Sequence, residues 1–222
     1  MKKQAITNLT MILWIFLIGS FFGFIYENLL MIIKGHPALR QGLIYEPLIP
    51  IYGIGSIVFY LFYKNINLDN KSLIIKIIII FILSFFLGGI TEYMGSFIQE
   101  KIFKTISWDY SYLKFDLHGR TSLLHAGIWG IMGVIFYFLI LPLLKKIKNI
   151  TKTHQGKIIT IIMSIILLFD CTISILACNR RTERRTNENP SNIIEEYLDY
   201  RYPDEYIDSI YNNATEVINI KS

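Results

Sequence analysis

Charge is scarce in this chain. Only 18% of its 222 residues are Asp, Glu, Lys or Arg, against 53% hydrophobic, and the mean hydropathy is +0.43. That balance excludes an ordinary soluble domain. Cysteine is rarer still: Cys171 and Cys178 are the only two, seven apart. Neither a paired-thiol motif nor zinc-ligand spacing is present, so no metal site and no disulfide framework is expected. A glycine-rich phosphate loop, a nucleophile turn with Ser, His and Asp, and a haem-attachment pattern are all missing. No cofactor is expected, the chain reads as no enzyme of those classes, and any ATP-driven role needs a nucleotide site on another subunit. Leu176-Ala177-Cys178 has the composition of a lipoprotein cleavage box but lies far from the N-terminus, where such a signal acts.

What the chain has in place of charge is long apolar runs. Runs near 20 residues match a hydrocarbon core of roughly 30 Å. They do not alternate apolar with polar residues, so helices and not barrel strands are expected. The reading is an all-α integral membrane protein with five transmembrane helices, over about 9–33, 48–63, 72–98, 121–144 and 157–178. Residues 1–178 form the membrane domain and 179–222 a short, polar, soluble tail that is partly disordered. The first run is too long for a signal-peptide core and lacks a cleavage site, so it is expected to stay in the mature chain. The second is short, begins with Pro50 and a glycine cluster, and is expected to cross and not to re-enter. The net charge of +5 comes from Lys and Arg at the ends of apolar runs, the pattern of membrane flanks and not of nucleic-acid binding. Their numbers on the two faces nearly balance; Arg180, Arg181, Arg184 and Arg185 favour a cytoplasmic tail.

The few polar residues inside the runs collect at one depth. Glu27 and Glu92 each precede the end of a span by a similar distance, and those spans run the same way, so both carboxylates fall in one half of the bilayer. Asp170, late in the fifth span, falls there too. Tyr45, Pro50, Tyr52, Arg120 and His125 reach it from the antiparallel spans, while Trp108, Asp109 and Tyr110 lie in the loop capping it. Gly19, Gly23 and Glu27 are four apart, as are Ser84, Gly88, Glu92 and Ser96, and small residues at that spacing let helices approach closely. Spans one, three and four are therefore expected to pack together, with Glu27, Glu92 and Arg120 near one another. The same stripes would also serve a homo- or hetero-oligomer.

The candidate substrate-binding site is Glu27, Arg40, Tyr45, Pro50, Tyr52, Glu92, Trp108, Asp109, Tyr110, Arg120 and His125. Intramembrane charges are expensive beside lipid and mark functional sites by default. Against this stand structural readings: a buried Glu27–Glu92–Arg120 ion cluster that fixes packing, a hydrogen-bonded core His125, and Trp108 and Tyr110 as interfacial aromatics.

The stretches Ile18-Gly19-Ser20-Phe21-Phe22-Gly23-Phe24-Ile25-Tyr26-Glu27 and Arg40-Gln41-Gly42 through Tyr45-Glu46-Pro47 to Tyr52-Gly53 carry a resemblance. So do Glu92-Tyr93, Trp108-Asp109-Tyr110-Ser111, and Gly119-Arg120 to Trp129-Gly130. Together they resemble the CmpB-like family of bacterial membrane proteins, catalogued as ABC-transporter type IV permeases, over roughly residues 14 to 145. The chain departs from that pattern at Glu46, Gln99 and Asp116, where the family has Gly, Met and Asn. The resemblance implies a permease-like transport subunit of the bacterial cytoplasmic (inner) membrane, multi-pass in the lipid bilayer and partnered by a separate ATPase subunit. Two rivals stay open from the residues: an enzyme acting on a lipid or isoprenoid-phosphate carrier, with Glu27 or Glu92 as base and Arg120 on the phosphate, and an assembly factor with structural charges.

Overall fold

A chain segment surrounded by hydrocarbon must satisfy its backbone N–H and C=O groups within itself, and each apolar run accordingly folds as an α-helix. In a computed structural model, which describes residues 2–35, 42–186 and 188–217, α1 covers Lys2–Ile33, α2 Pro50–Tyr63, α3 Leu73–Phe103, α4 Leu123–Ile135 and α5 Leu141–Ile150. A π-helical turn, Phe136–Ile140, joins α4 to α5. Then come α6 (His154–Arg185), α7 (Ile193–Arg201) and α8 (Asp204–Ile210). Four short strands complete the described chain: β1 (Thr105–Ile106), β2 (Asp116–Leu117), β3 (Thr121–Ser122) and β4 (Thr215–Glu216), with β1 antiparallel to β4 and β2 antiparallel to β3.

Among the described residues, four helical stretches are long and apolar enough to cross a membrane: Leu9–Ile33, Leu73–Phe103, Leu123–Ile150 and His154–Arg185. α2 is apolar but has 14 residues, about 21 Å at 1.5 Å per residue, short of a core of roughly 30 Å. Where the sequence suggests five spans, the fold therefore has four membrane-length helices and one shorter apolar helix. The helices also outrun the apolar segments. α3 continues to Phe103 and α6 to Arg185, because residues such as Gln99, Glu100, Arg184 and Arg185 propagate a helix once it is nucleated. Side-chain caps start four of the described helices: the Ser72, Ser122 and Thr153 hydroxyls and the Asn192 side-chain oxygen accept from the N–H groups of Ile75, His125, Gly156 and Glu195.

The glycines decide which helices touch. Gly19 lies against Ser56 and Gly23 against the Tyr52 ring, so α1 packs antiparallel on α2. Gly88 lies against Trp129 and Gly133 against Ser84, pairing α3 antiparallel with α4. α2 then bridges the two pairs, with Ile51 on Gly95 and a hydrogen bond between the Tyr63 and Ser84 hydroxyls. The pairing of spans three and four matches the expectation, whereas the α1 stripe faces α2. Residue spacing shows that a face is small but not which neighbour fills it. The core at these crossings is aromatic: Phe59 stacks on Tyr63 (centroids 5.6 Å) and meets Trp129 and Phe136 edge-on at 6.0 Å each.

α6 closes against α1 and the 42–49 loop. The Trp14 indole donates to the Thr160 hydroxyl at 3.0 Å, and Leu17, Leu43 and Leu48 pack with Met163 and Leu167. Over its described residues the tail folds back onto α6. Leu198, Tyr202, Ile207 and Ile210 bury against Ala177 of α6 and Ile44. Arg180 and Arg181, both almost fully buried, bond Asp199 and Asp208, and Arg184 and Arg185 bond Asp204. The acids that gave the tail its polar composition thus neutralise the arginines at the end of α6.

Candidate functional site

Because α2 is antiparallel to both α1 and α3, the Glu27 end of α1 and the Glu92 end of α3 lie at one level, as their depths in the sequence suggest. The Tyr52 hydroxyl, from the first turn of α2, donates to Glu27 Oε1. The Tyr52 ring stacks on Trp129 at 5.4 Å and 28°. Trp129 in turn fills the space left by Gly55 and Gly88, so a side chain at either glycine would displace the aromatic link between the two carboxylates.

Glu92 is only 7% exposed. Its Oε2 accepts from the Thr121 hydroxyl at 2.7 Å and its Oε1 from the Tyr110 hydroxyl at 3.1 Å. Tyr110 lies face to face with His125, with centroids 3.6 Å apart and planes 13° apart. His125 Nδ1 is 2.9 Å from the Ser122 hydroxyl. Burial, and then the Glu92 charge and hydrogen bond, push the Tyr110 phenol far above the usual tyrosine range, which keeps it a neutral donor at physiological pH. Among the described residues neither Glu27 nor Glu92 takes part in a salt bridge.

Arg120 takes a different partner. Its guanidinium pairs with Glu100, donates to the Ser96 hydroxyl at 3.2 Å, and lies over the rings of Phe97 (5.4 Å) and Tyr93 (5.8 Å). The Glu27–Glu92–Arg120 ion cluster of the structural reading is therefore not formed among the described residues: two turns along α3, Glu100 takes the arginine. The signal was present, since Glu100 continues the four-residue spacing of Ser84, Gly88, Glu92 and Ser96. Thr121 carried no such signal, because a threonine beside an arginine has no periodic mark.

The loop residues shape the cap. Trp108 donates its indole N–H to the Arg120 carbonyl at 2.8 Å. The exposed Asp109 accepts from the Ser111 N–H at 2.9 Å, forming a turn without reaching the carboxylates. The Tyr110 N–H donates to the Gly119 carbonyl at 2.8 Å, and Asp116 accepts from the Gly119 N–H at 2.7 Å. Gly119 has φ +68°, and a Cβ there would run into the Asp109 carboxylate. Two independent reasons therefore require glycine.

Of the remaining candidates, Pro50 opens α2, where its missing N–H is harmless. Tyr45 turns away from the carboxylates: its hydroxyl lies 2.6 Å from that of Tyr202 and its ring stacks on Phe169. Arg40 falls outside the described residues. Asp170, 1% exposed, accepts from the N–H groups of Tyr45 (3.1 Å) and Glu46 (2.7 Å) and from the Ser174 hydroxyl (3.3 Å). It thereby anchors the loop that delivers Tyr52, without lining the cluster itself. No group of three or more His, Cys, Asp or Glu suited to a metal occurs among the described residues.

A family model described as "Putative ABC-transporter type IV" matches residues 14–175. The match takes in both carboxylates, the capping loop and most of α6, reaching further along the chain than the resemblance drawn from motifs. No curated protein and no solved structure shows significant similarity to the chain. With most of its length inside that match, this multi-pass membrane protein belongs to the CmpB-like family of ABC-transporter type IV proteins.

Proposed function

We propose that this protein is the permease-like membrane subunit of a bacterial transporter, with its polar site formed by Glu27, Tyr52, Glu92, Tyr110 and His125. The observation that carries this reading is the company the two carboxylates keep. Among the described residues, Glu27 and Glu92 are held by hydroxyl groups and form no ion pair with a cation. A carboxylate locked to a cation has its charge spent on packing, whereas one held by neutral donors keeps it for an incoming group. Arg120, Ser96 and Trp108 form the rim beside this site. α2 serves as a fifth, short crossing, residues 1–178 form the membrane domain, and the tail lies at the cytoplasmic face of the inner membrane. A separate ATPase subunit supplies the energy, consistent with the family and with the lack of a phosphate loop.

The test is affinity isolation of the tagged chain from native membranes together with solute flux in Glu27→Gln and Glu92→Gln strains. A co-purifying nucleotide-binding subunit, and flux lost at normal protein abundance, is the expected result. A chain that isolates alone and whose deletion leaves every measured flux unchanged overturns the proposal.

A further inference from the structure

The outer side of α3 and the beginning of α4 line an open groove of about 350 Å³ that backs onto the polar site at Thr121 and Ser122. Phe86, Ile90 and Met94 wall it on α3 and Leu123 on α4, while Gly89, Ala126 and Thr121 make its floor. Both helices belong to stretches long and apolar enough to cross a membrane, so hydrocarbon is the medium at its mouth. Its far end is roofed by Phe115 and Leu117 from the β2–β3 hairpin.

The roof is the unusual part. Phe115 has φ +60°, a conformation a bulky side chain adopts at a cost, and its ring is nonetheless 78% exposed. Its carbonyl accepts from the Leu123 N–H at 3.1 Å, which fixes it at the head of α4. The strained backbone thus holds this ring at the edge of the groove, where an occupant would cover it. The floor is unusual as well, because Thr121 there turns its hydroxyl away toward Glu92 and leaves an apolar surface to the groove.

We propose that this groove holds an acyl chain of a membrane phospholipid, admitted sideways from the bilayer and covered by Phe115 and Leu117. A flat helix face offers a lipid chain only transient contact. A groove floored by small residues and lined from two helices and a loop packs one chain against more surface than a flat face does, and in lipid such packing is what separates bound from bulk hydrocarbon. The inference deepens the transport reading by placing an amphiphile one residue, Thr121, away from Glu92, and it rests on that reading only for the lipid being cargo.

The experiment uses the full chain in nanodiscs of phosphatidylethanolamine doped with phosphatidylethanolamine bearing a diazirine in its acyl chain. Adducts are located by peptide mass spectrometry after photolysis. Labelling of 85–94 and 115–123 is expected to exceed that of the equally lipid-facing 158–168 of α6 by roughly tenfold, and Ile90→Trp with Leu123→Trp to remove the excess by filling the groove. Phe115→Gly, which suits the backbone better than phenylalanine, is the second variant and should also lower the excess if the tryptophans prevent folding. Equal labelling of α3 and α6, or an excess that both variants leave untouched, overturns the proposal. Because the readout is binding, groove labelling with no flux phenotype would fault the transport reading alone, and flux lost in Glu92→Gln with uniform labelling would fault the groove alone.

Discussion

Arg120 pairs with Glu100, not with Glu92, although all three lie on or beside the same face of α3. The pair is partly buried, at 16% and 21% side-chain exposure, so solvent screens some of its strength. Arg120→Gln and Glu100→Gln should each lower stability by about 1–2 kcal/mol, with the double variant well short of their sum. Glu92→Gln keeps the acceptor for one of its two hydroxyl donors and should leave abundance nearly unchanged while abolishing transport. Thermal unfolding in detergent and flux in cells separate the two behaviours; equal loss of folded protein in all three would make the Glu92 charge structural.

Asp170→Asn places an amide where three donors converge. With the amide oxygen in the Oδ2 position both N–H groups keep an acceptor, but a neutral one, and the NH2 in the other position faces the Tyr45 N–H, so the loss should be about 1 kcal/mol. The 42–49 loop should then exchange its amide hydrogens faster while the α3–α4 pair stays protected. Unchanged exchange at Tyr45 and Glu46 would show that the loop is held by other contacts.

Gly119→Ala should destabilise the hairpin by about 1–2 kcal/mol from the positive φ alone, with more from the Asp109 contact. Asp109→Ala combined with Gly119→Ala should recover the steric part but not the backbone part. Melting temperatures of the two single variants and the double variant provide the comparison.

The tail should detach in acid. The Arg180 hydrogen bond holds the Asp199 carboxyl below the usual carboxylate range. Its folded value being depressed, the stabilisation is complete above the unfolded value of about 3.9 and is lost as pH falls through the folded value. Protease accessibility of residues 188–217 should therefore rise only below that range. Asp199→Asn, which leaves Arg180 nearly buried with a weaker partner, should expose the tail at neutral pH; a tail equally protected in that variant would place its anchorage in Leu198, Tyr202 and Ile207 instead.

Much of the membrane domain was legible because it is local. A run of apolar residues fixes a helix and its approximate length, and a four-residue spacing of Gly and Ser fixes a face that another helix can approach closely. Counting residues from each span's end was enough to bring Glu27 and Glu92 to one level. Tyr52, Tyr110 and His125 could be placed beside them from the direction of their segments.

Partner choice was not legible in the same way. Whether the α1 stripe meets α2 or α3, whether Arg120 reaches Glu92 or Glu100, and whether the tail's acids face water or the arginines of α6 depend on how chain reversals bring distant residues within a few ångströms. Hydrophobic periodicity reports only the surroundings averaged over one face of a helix. The sequence by itself determined a multi-helix membrane protein with two carboxylates at a common depth. The tertiary structure decided that neutral hydroxyls hold those carboxylates while the arginine is committed elsewhere, because side-chain reach and hydrogen-bond geometry, unlike burial, exist only between elements already packed.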